Sequence, residues 1–207
     1  MTKILHLTCS PRGAESHSAA LSTAIAQRLI AARPGATHSL RDLGAAPPDG
    51  IDGPYASALV AGQAETGFSS PALDRSAAAI AELVAADMLV IGTPMHNFTV
   101  PAALKAWIDL VVRPFHTFAP GANGKVALLC DKPVFVAIAS GGYFHGEGAA
   151  QPDFLTPYLS AALGCIGLRS VHFLPLQHTA RARASDLEQQ THALLDRVDD
   201  ILGHMEA

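Results

Sequence analysis

Apolar residues fall along this chain in two rhythms. Short unbroken runs occur at Lys3–Thr8 (KILHLT), Asp87–Pro94 (DMLVIGTP), Lys132–Ser140 (KPVFVAIAS) and Leu168–Leu176 (LRSVHFLPL). Runs of that length, rich in Val, Ile, Leu and Phe, predict buried strands. Thr37–Leu43 (THSLRDL) alternates weakly and predicts a further strand at a sheet edge. Between the runs, apolar residues recur at helical spacing. Ser18–Gly35 predicts a helix stopped by Pro34-Gly35, and Ser70–Ala86 one that opens on a Ser cap with Pro in its first turn. Pro101–Val112, Asp153–Gly167 and Ala184–Met205 predict three more, the last capped by Ser185 and apolar at Leu187, Leu194, Leu195, Val198, Ile201 and Leu202. Gly44–Ser70 is rich in Gly, Pro, Ala and Ser and reads as a long excursion with a short helix near Tyr55–Gln63, and Arg113–Gly124 reads as a loop.

Strand and helix alternate about five times. Such a chain builds a mainly parallel sheet with helices on both faces, a doubly wound α/β fold of five strands. No internal repeat or linker divides it, so residues 1–207 are expected to form a single domain. In a doubly wound sheet ligands sit at the carboxyl ends of the strands near the switch point. Attention therefore falls on three loops, after Thr8, after Thr93 and after Ala139.

Composition narrows the classes. Of 207 residues 49% are hydrophobic and 15% charged, which suits a globular chain. A net charge of -4 without a cluster of Lys and Arg argues against nucleic acid as a partner. Cys9, Cys130 and Cys165 lie far apart with no CxxC, as expected of free thiols in a reducing compartment. The start, MTKILHLTCSPR, lacks the pattern of a signal peptide, and no apolar run approaches the ~20 residues of a membrane helix. The expectation is a soluble, cytoplasmic protein without a membrane partner.

The first loop, TCSPRGAESHS, offers the hydroxyls of Ser10, Ser16 and Ser18 just before a helix start. Free amides and the positive end of the helix dipole favour an anion there, and hydroxyls with amides hold a phosphate without lysine. A plain turn with a serine cap is the alternative. The loop lacks GxGxxG, GxxxxGK[ST] and any acidic cluster, which argues against a dinucleotide fingerprint, a nucleotide triphosphatase and a metal-dependent receiver. The second loop places Pro94, Met95, His96, Asn97 and Phe98 together, an unusual set for a mere turn. In the third, Gly141 and Gly142 let backbone approach a flat ligand. Together the loops match a flavodoxin-like mononucleotide site, with phosphate on the first and a ring on the other two.

The segments LTCSPRGAESHS, VIGTPMHNFTVPAALKAWIDLVVRPFHTF, ASGGYFHGEG and DFLTPYLSAALGCIGL resemble the bacterial family of FMN-dependent NAD(P)H:quinone oxidoreductases and azoreductases. The resemblance implies a flavodoxin-like fold, bound FMN, a homodimer, and two-electron ping-pong reduction of quinones and azo compounds by NADH or NADPH. Carried over by position, Ser10, Ser16, His17 and Ser18 hold the phosphate, and Pro94, Met95, His96, Asn97 and Phe98 line the ring. Ser140, Gly141, Gly142 and Tyr143 meet its pyrimidine side, with His145 near the carbonyl region. The family commonly has Tyr where this chain has His96, and the stretch after Phe118 is shorter than in many members.

Such chemistry belongs to the flavin, and the protein positions and tunes it. No amino-acid nucleophile is needed. Asn97, through a nearby backbone N–H, and His145 are the tuning candidates, and Phe98, Phe115 and Phe118 form an apolar wall for flat acceptors. No HxxxH or HExxH occurs among the ten histidines, so no metal is expected. Cys9 and Trp107 read as packing residues. Two neighbouring activities share these features: a flavodoxin-like electron carrier without catalysis of its own, and an NAD(P)H-dependent FMN reductase.

Overall fold

A computed structural model describes residues 1–60, 71–122 and 124–206. Strand β1 (Lys3–Thr8) leads through a single 3-10 turn at Gly13–Glu15 into α1 (His17–Ala32). There follow β2 (Thr37–Asp42), α2 (Gly53–Val60), α3 (Pro71–Ala85), β3 (Met88–Pro94) and α4 (Ala102–Val111). The chain continues with β4 (Phe118–Gly121), β5 (Gly124–Ala127), β6 (Val134–Ala139), α5 (Thr156–Ile166), β7 (Val171–Leu176) and α6 (Ala184–Glu206).

Five strands form one sheet in the order β2-β1-β3-β6-β7, every pair parallel. The edge position expected for Thr37–Leu43 is that of β2. Strand order reverses between β1 and β3, which makes their carboxyl ends the switch point. The period of two along each strand divides the core into two layers. Leu5, Leu7, Leu89, Ile91, Val134, Val136 and Ile138 face α3, α4 and α5, whereas Ile4, Met88, Val90, Phe135 and Ala137 face α1 and α6. Trp107 and Cys9 are buried in the first layer, as expected of packing residues.

Several boundaries differ from the sequence reading, each for a local reason. Arg113–Gly124 is not all loop: Phe118–Gly121 and Gly124–Ala127 pair as an antiparallel hairpin. Its strands are too short and too poor in β-branched residues to announce themselves. The fifth helix starts at Thr156, not Asp153: Leu155 is its N-cap, and the Asp153 carboxylate stands ahead of it in a turn that accepts the amides of Leu155 and Thr156 at 2.9 Å. Ser185 is not the cap of α6. The Arg183 carbonyl accepts the Leu187 amide at 3.2 Å, which places Ser185 in the first turn. The short helix is described from Gly53 as far as Val60, and the expected Gln63 end, like the Ser70 cap, lies outside the described residues. Asp52 accepts the Tyr55 amide at 2.8 Å and opens that helix. No described helix is long and apolar enough to cross a membrane.

Candidate active site

The first loop is assembled by backbone. After β1, the Cys9 amide bonds the Gly92 carbonyl of β3 at 2.9 Å, so the loop leaves the sheet at the switch point. Ser10 Oγ accepts the Arg12 amide at 3.3 Å, and the 3-10 turn delivers Ser16 to the start of α1. Ser16 is the N-cap: its Oγ accepts the Ala19 amide at 3.3 Å. The amides of His17 and Ser18 find no acceptor among the described residues and remain available to an anion. Gly44 presses on this loop from below. A Cβ there would lie 2.1 Å from the Ser10 carbonyl oxygen, so only glycine fits.

The three serines are thus brought together, though not as equals. Ser18 is wholly buried, and its Oγ lies 3.1 Å from Ser16 Oγ, behind it. His17 points elsewhere: with Leu21, Leu176, Leu187 and His192 it lines a cavity of about 350 Å³ between α1 and α6. Cys9, at the base of the loop, is held as a thiol because burial, and then the Asp42 carboxylate, push its pKa up.

The second loop is a two-residue turn. His96 and Thr99 exchange backbone bonds at 2.9 and 3.0 Å, and Asn97 and Phe98 between them have φ of 48° and 71°. Asparagine adopts that conformation readily, but phenylalanine is strained in it by about 1–3 kcal/mol. The strain is held by neighbours: Met95 N–H bonds the Ala139 carbonyl at 2.9 Å, and the Phe98 carbonyl accepts the Phe154 amide at 3.0 Å. Pro94 ends β3 opposite Ala139. The Asn97 and Phe98 amides find no acceptor among the described residues, and Phe98 stays 43% exposed. His96 is exposed and no side chain caps α4.

The third loop is pinned at both ends. Ser140 N–H bonds the Leu176 carbonyl, and the Ser140 carbonyl accepts the Thr179 amide at 3.0 Å and its hydroxyl at 3.1 Å. The Gly142 carbonyl accepts the His178 amide, and the Tyr143 ring stacks on the His178 ring with centroids 4.8 Å apart and planes 11° apart. Further on, Gln177 Oε1 accepts the amides of Phe144 and His145 at 2.8 and 2.9 Å. Gln151 donates through Nε2 to Ser140 Oγ at 2.7 Å. Gly141 has ordinary surroundings, whereas Gly142 leaves room for Gln151. His145 lines a cavity of about 210 Å³ with His172, Phe173 and Arg197 along the β7 edge, which separates it from the rest of the loop.

The aromatic wall is uneven. Phe118 is buried, with the Lys125 ammonium 4.6 Å above its ring, so it presents little open surface. Phe115 is exposed and sits at φ of 62°. Beneath them Arg113 is buried. It donates to Ser76 Oγ at 3.2 Å and meets His116, and burial lowers its pKa. Among the described residues no three His, Cys, Asp or Glu side chains could hold a metal.

Gly44, Arg113, Gln151, Gln177 and His178 carry no motif in the sequence. Each owes its role to a partner distant in the chain, as Gln151 does to Met95, 56 residues away. Only the lone glycine at the end of THSLRDLG hinted at a close approach.

A parallel five-stranded sheet in this order, with a capped helix start and two further loops at the carboxyl ends of its central strands, is that of a flavodoxin-like protein. The model of the flavodoxin-like fold family matches residues 2–202. The chain is 47% identical to FMN-dependent NADH:quinone oxidoreductase 4 of Pseudomonas fluorescens, over 86% of this chain and 84% of that protein. It is 46% identical to FMN-dependent NADH:quinone oxidoreductase 5 of Burkholderia lata, over 87% of each. Among solved structures, an azoreductase from Bacillus anthracis superposes with a TM-score of 0.83 over 97% of this chain and 98% of that one, at 24% identity. At that identity the likeness is one of fold. The chain belongs to the flavodoxin-like family that includes the FMN-dependent NADH:quinone oxidoreductases.

Proposed function

We propose that this protein is an FMN-dependent oxidoreductase that reduces quinones and azo compounds with electrons from NADH or NADPH. The observation that carries the reading is the convergence of the capped α1 terminus with the Met95–Phe98 turn and the Ser140–Tyr143 loop at one switch point. The residues fit the cofactor. Two unpartnered amides with the Ser10 and Ser16 hydroxyls suit a phosphate, and the amides of Asn97 and Phe98 suit the polar edge of a flat ring.

When bound, FMN supplies the two-electron relay between the nicotinamide and the acceptor. The protein's part is to bind and orient. Ser10, Ser16 and the α1 amides anchor the phosphate, with Ser18 bracing Ser16 from behind. Pro94, Met95, His96, Asn97 and Phe98 border the ring on one side; Ser140, Gly141, Gly142 and Tyr143 border it on the other. The Asn97 N–H, unpartnered among the described residues in the strained turn, would donate to the ring edge. Exposed Phe98 and Phe115 would exclude water from beside the bound ring. His17, in the cavity between α1 and α6, and His145, on the β7 edge, stand apart from this site.

The chain acts as one FMN-binding domain and as a homodimer. Exposed Phe98, Phe115 and Phe154 are its candidate contacts. Its three cysteines are free, in keeping with the cytoplasm.

The experiment is cofactor release and turnover. Protein isolated yellow should release FMN on heating and oxidise NADH continuously with a quinone. Apoprotein that takes up no FMN at micromolar concentration overturns the reading. Uptake without quinone-dependent NADH oxidation makes the protein an electron carrier, and release of free reduced FMN as product makes it an FMN reductase. A monomer in light scattering that keeps full activity removes the dimer.

A further inference from the structure

We propose that Gln151 is a positioning residue of the flavin site, whose side-chain amide sets the separation of the two ring-facing loops and fixes the Met95 thioether between them. The inference deepens the reading of the site given above and rests on it.

One primary amide reaches both loops. Gln151 Nε2 donates to Ser140 Oγ at 2.7 Å and to Met95 Sδ at 3.3 Å. Ser140 Oγ lies 3.9 Å from the same sulfur and completes a triangle. The orientation of the amide follows from its neighbours. A thioether accepts weakly and donates nothing, so the N–H side, not the carbonyl oxygen, must face Sδ. The backbone holds the residue in place, since Gln151 N–H bonds the Tyr143 carbonyl at 3.2 Å. Gly142 makes the arrangement possible: a Cβ there would come 2.9 Å from Gln151 Oε1 and 3.4 Å from its Cδ. The glycine therefore serves the passage of this side chain.

Met95 belongs to the β3 loop and Ser140 to the end of β6. Backbone couples these strands as far as the bond from Met95 N–H to the Ala139 carbonyl. Beyond it, Gln151 is the tie. The triangle also orients the hydroxyl of Ser140, which is 2% exposed and otherwise free to rotate. Neither Gln151 nor Ser140 belongs to the hydrophobic core, so loss of the tie should act on the site more than on the fold.

Two variants of the full-length protein separate positioning from bulk packing. Gln151→Leu removes both donors at similar size. Gln151→Glu keeps the length and the bond to Ser140, whose hydroxyl then donates, but loses the N–H toward sulfur and adds a negative charge. FMN affinity is measured by quenching of flavin fluorescence on titration with apoprotein, the midpoint potential of the loaded protein by equilibration with a reference dye, and apoprotein stability by thermal melting. The expected result for the Leu variant is FMN binding weaker by about tenfold, with apoprotein melting unchanged. The Glu variant is expected to have a lower midpoint potential than both wild type and the Leu variant, because its charge opposes electron gain by the ring. Wild-type affinity and potential in both variants overturn the proposal while leaving the flavin reading intact. So does a Leu variant that melts early beside a Glu variant of wild-type potential, which makes the role structural. Failure of the wild type itself to take up FMN removes the reading of the site and this proposal with it.

Discussion

Ser16 and Ser18 form a two-hydroxyl unit whose energetics can be worked out before any ligand is added. Ser16→Ala removes the N-cap of α1, a loss of about 1 kcal/mol. It also strips Ser18, wholly buried, of its hydroxyl partner 3.1 Å away, which costs about 1–2 kcal/mol more as an unsatisfied polar group. The apoprotein should therefore lose about 2–3 kcal/mol, or about 5–10 °C in Tm for a chain of this size. Ser18→Ala gives up the same bond but orphans nothing, because Ser16 keeps the Ala19 amide, so it should cost about 1 kcal/mol. In the double variant the orphan is gone. Its loss should then fall short of the sum of the two single losses by about 1–2 kcal/mol. Urea unfolding of the four apoproteins, followed by far-UV circular dichroism, measures this coupling. FMN titration of the same set should show Ser16→Ala as the more damaging single change, since Ser18 stands behind it. Strictly additive stabilities would refute the shared bond, and equal FMN affinities across the set would place the phosphate elsewhere.

Burial, and then the neighbouring His38, lower the His6 pKa from 6.5 to about 4. The folded state thus prefers neutral His6, and that stability is present above pH 6.5 and lost as pH falls toward 4, to a limit of about 3 kcal/mol. His6→Gln, which retains a side-chain donor for Ser22, should flatten the apoprotein's stability profile between pH 6.5 and 4; an unchanged acid limb would assign it to other groups. Gly44→Ala forces a methyl against the Ser10 backbone, so it should weaken FMN binding by more than tenfold, and wild-type affinity would show that the first loop yields freely. His96→Tyr alters an exposed side chain, so stability should stay within about 0.5 kcal/mol. The ratio of activity on a carboxylated azo dye to that on a neutral quinone should fall. Identical ratios in the two proteins would mean that His96 does not face the acceptor.

What the chain alone determined was local in origin. The apolar runs of β1, β3 and β6 have no solvent-exposed alternative, and their alternation with helical periodicity left a doubly wound sheet as the economical packing. A serine cap near the start of α1 was legible for the same reason, since a cap and the amide it accepts are three residues apart, though the helix begins at His17 behind Ser16 and not at the expected Ser18. The three loops followed from topology, because strand ends at a switch point coincide in space. What only the tertiary structure decided depended on partners far away along the chain. Nothing local in Gly44 names the Ser10 carbonyl, and nothing in the unpatterned stretch around Gln151 names Met95 and Ser140. The unequal standing of Ser16 and Ser18, the burial of Phe118 under Lys125 and the separation of His145 onto the β7 edge are likewise consequences of packing. Periodicity records which face of an element turns inward. Which side chain meets which across that face is set only when the layers close.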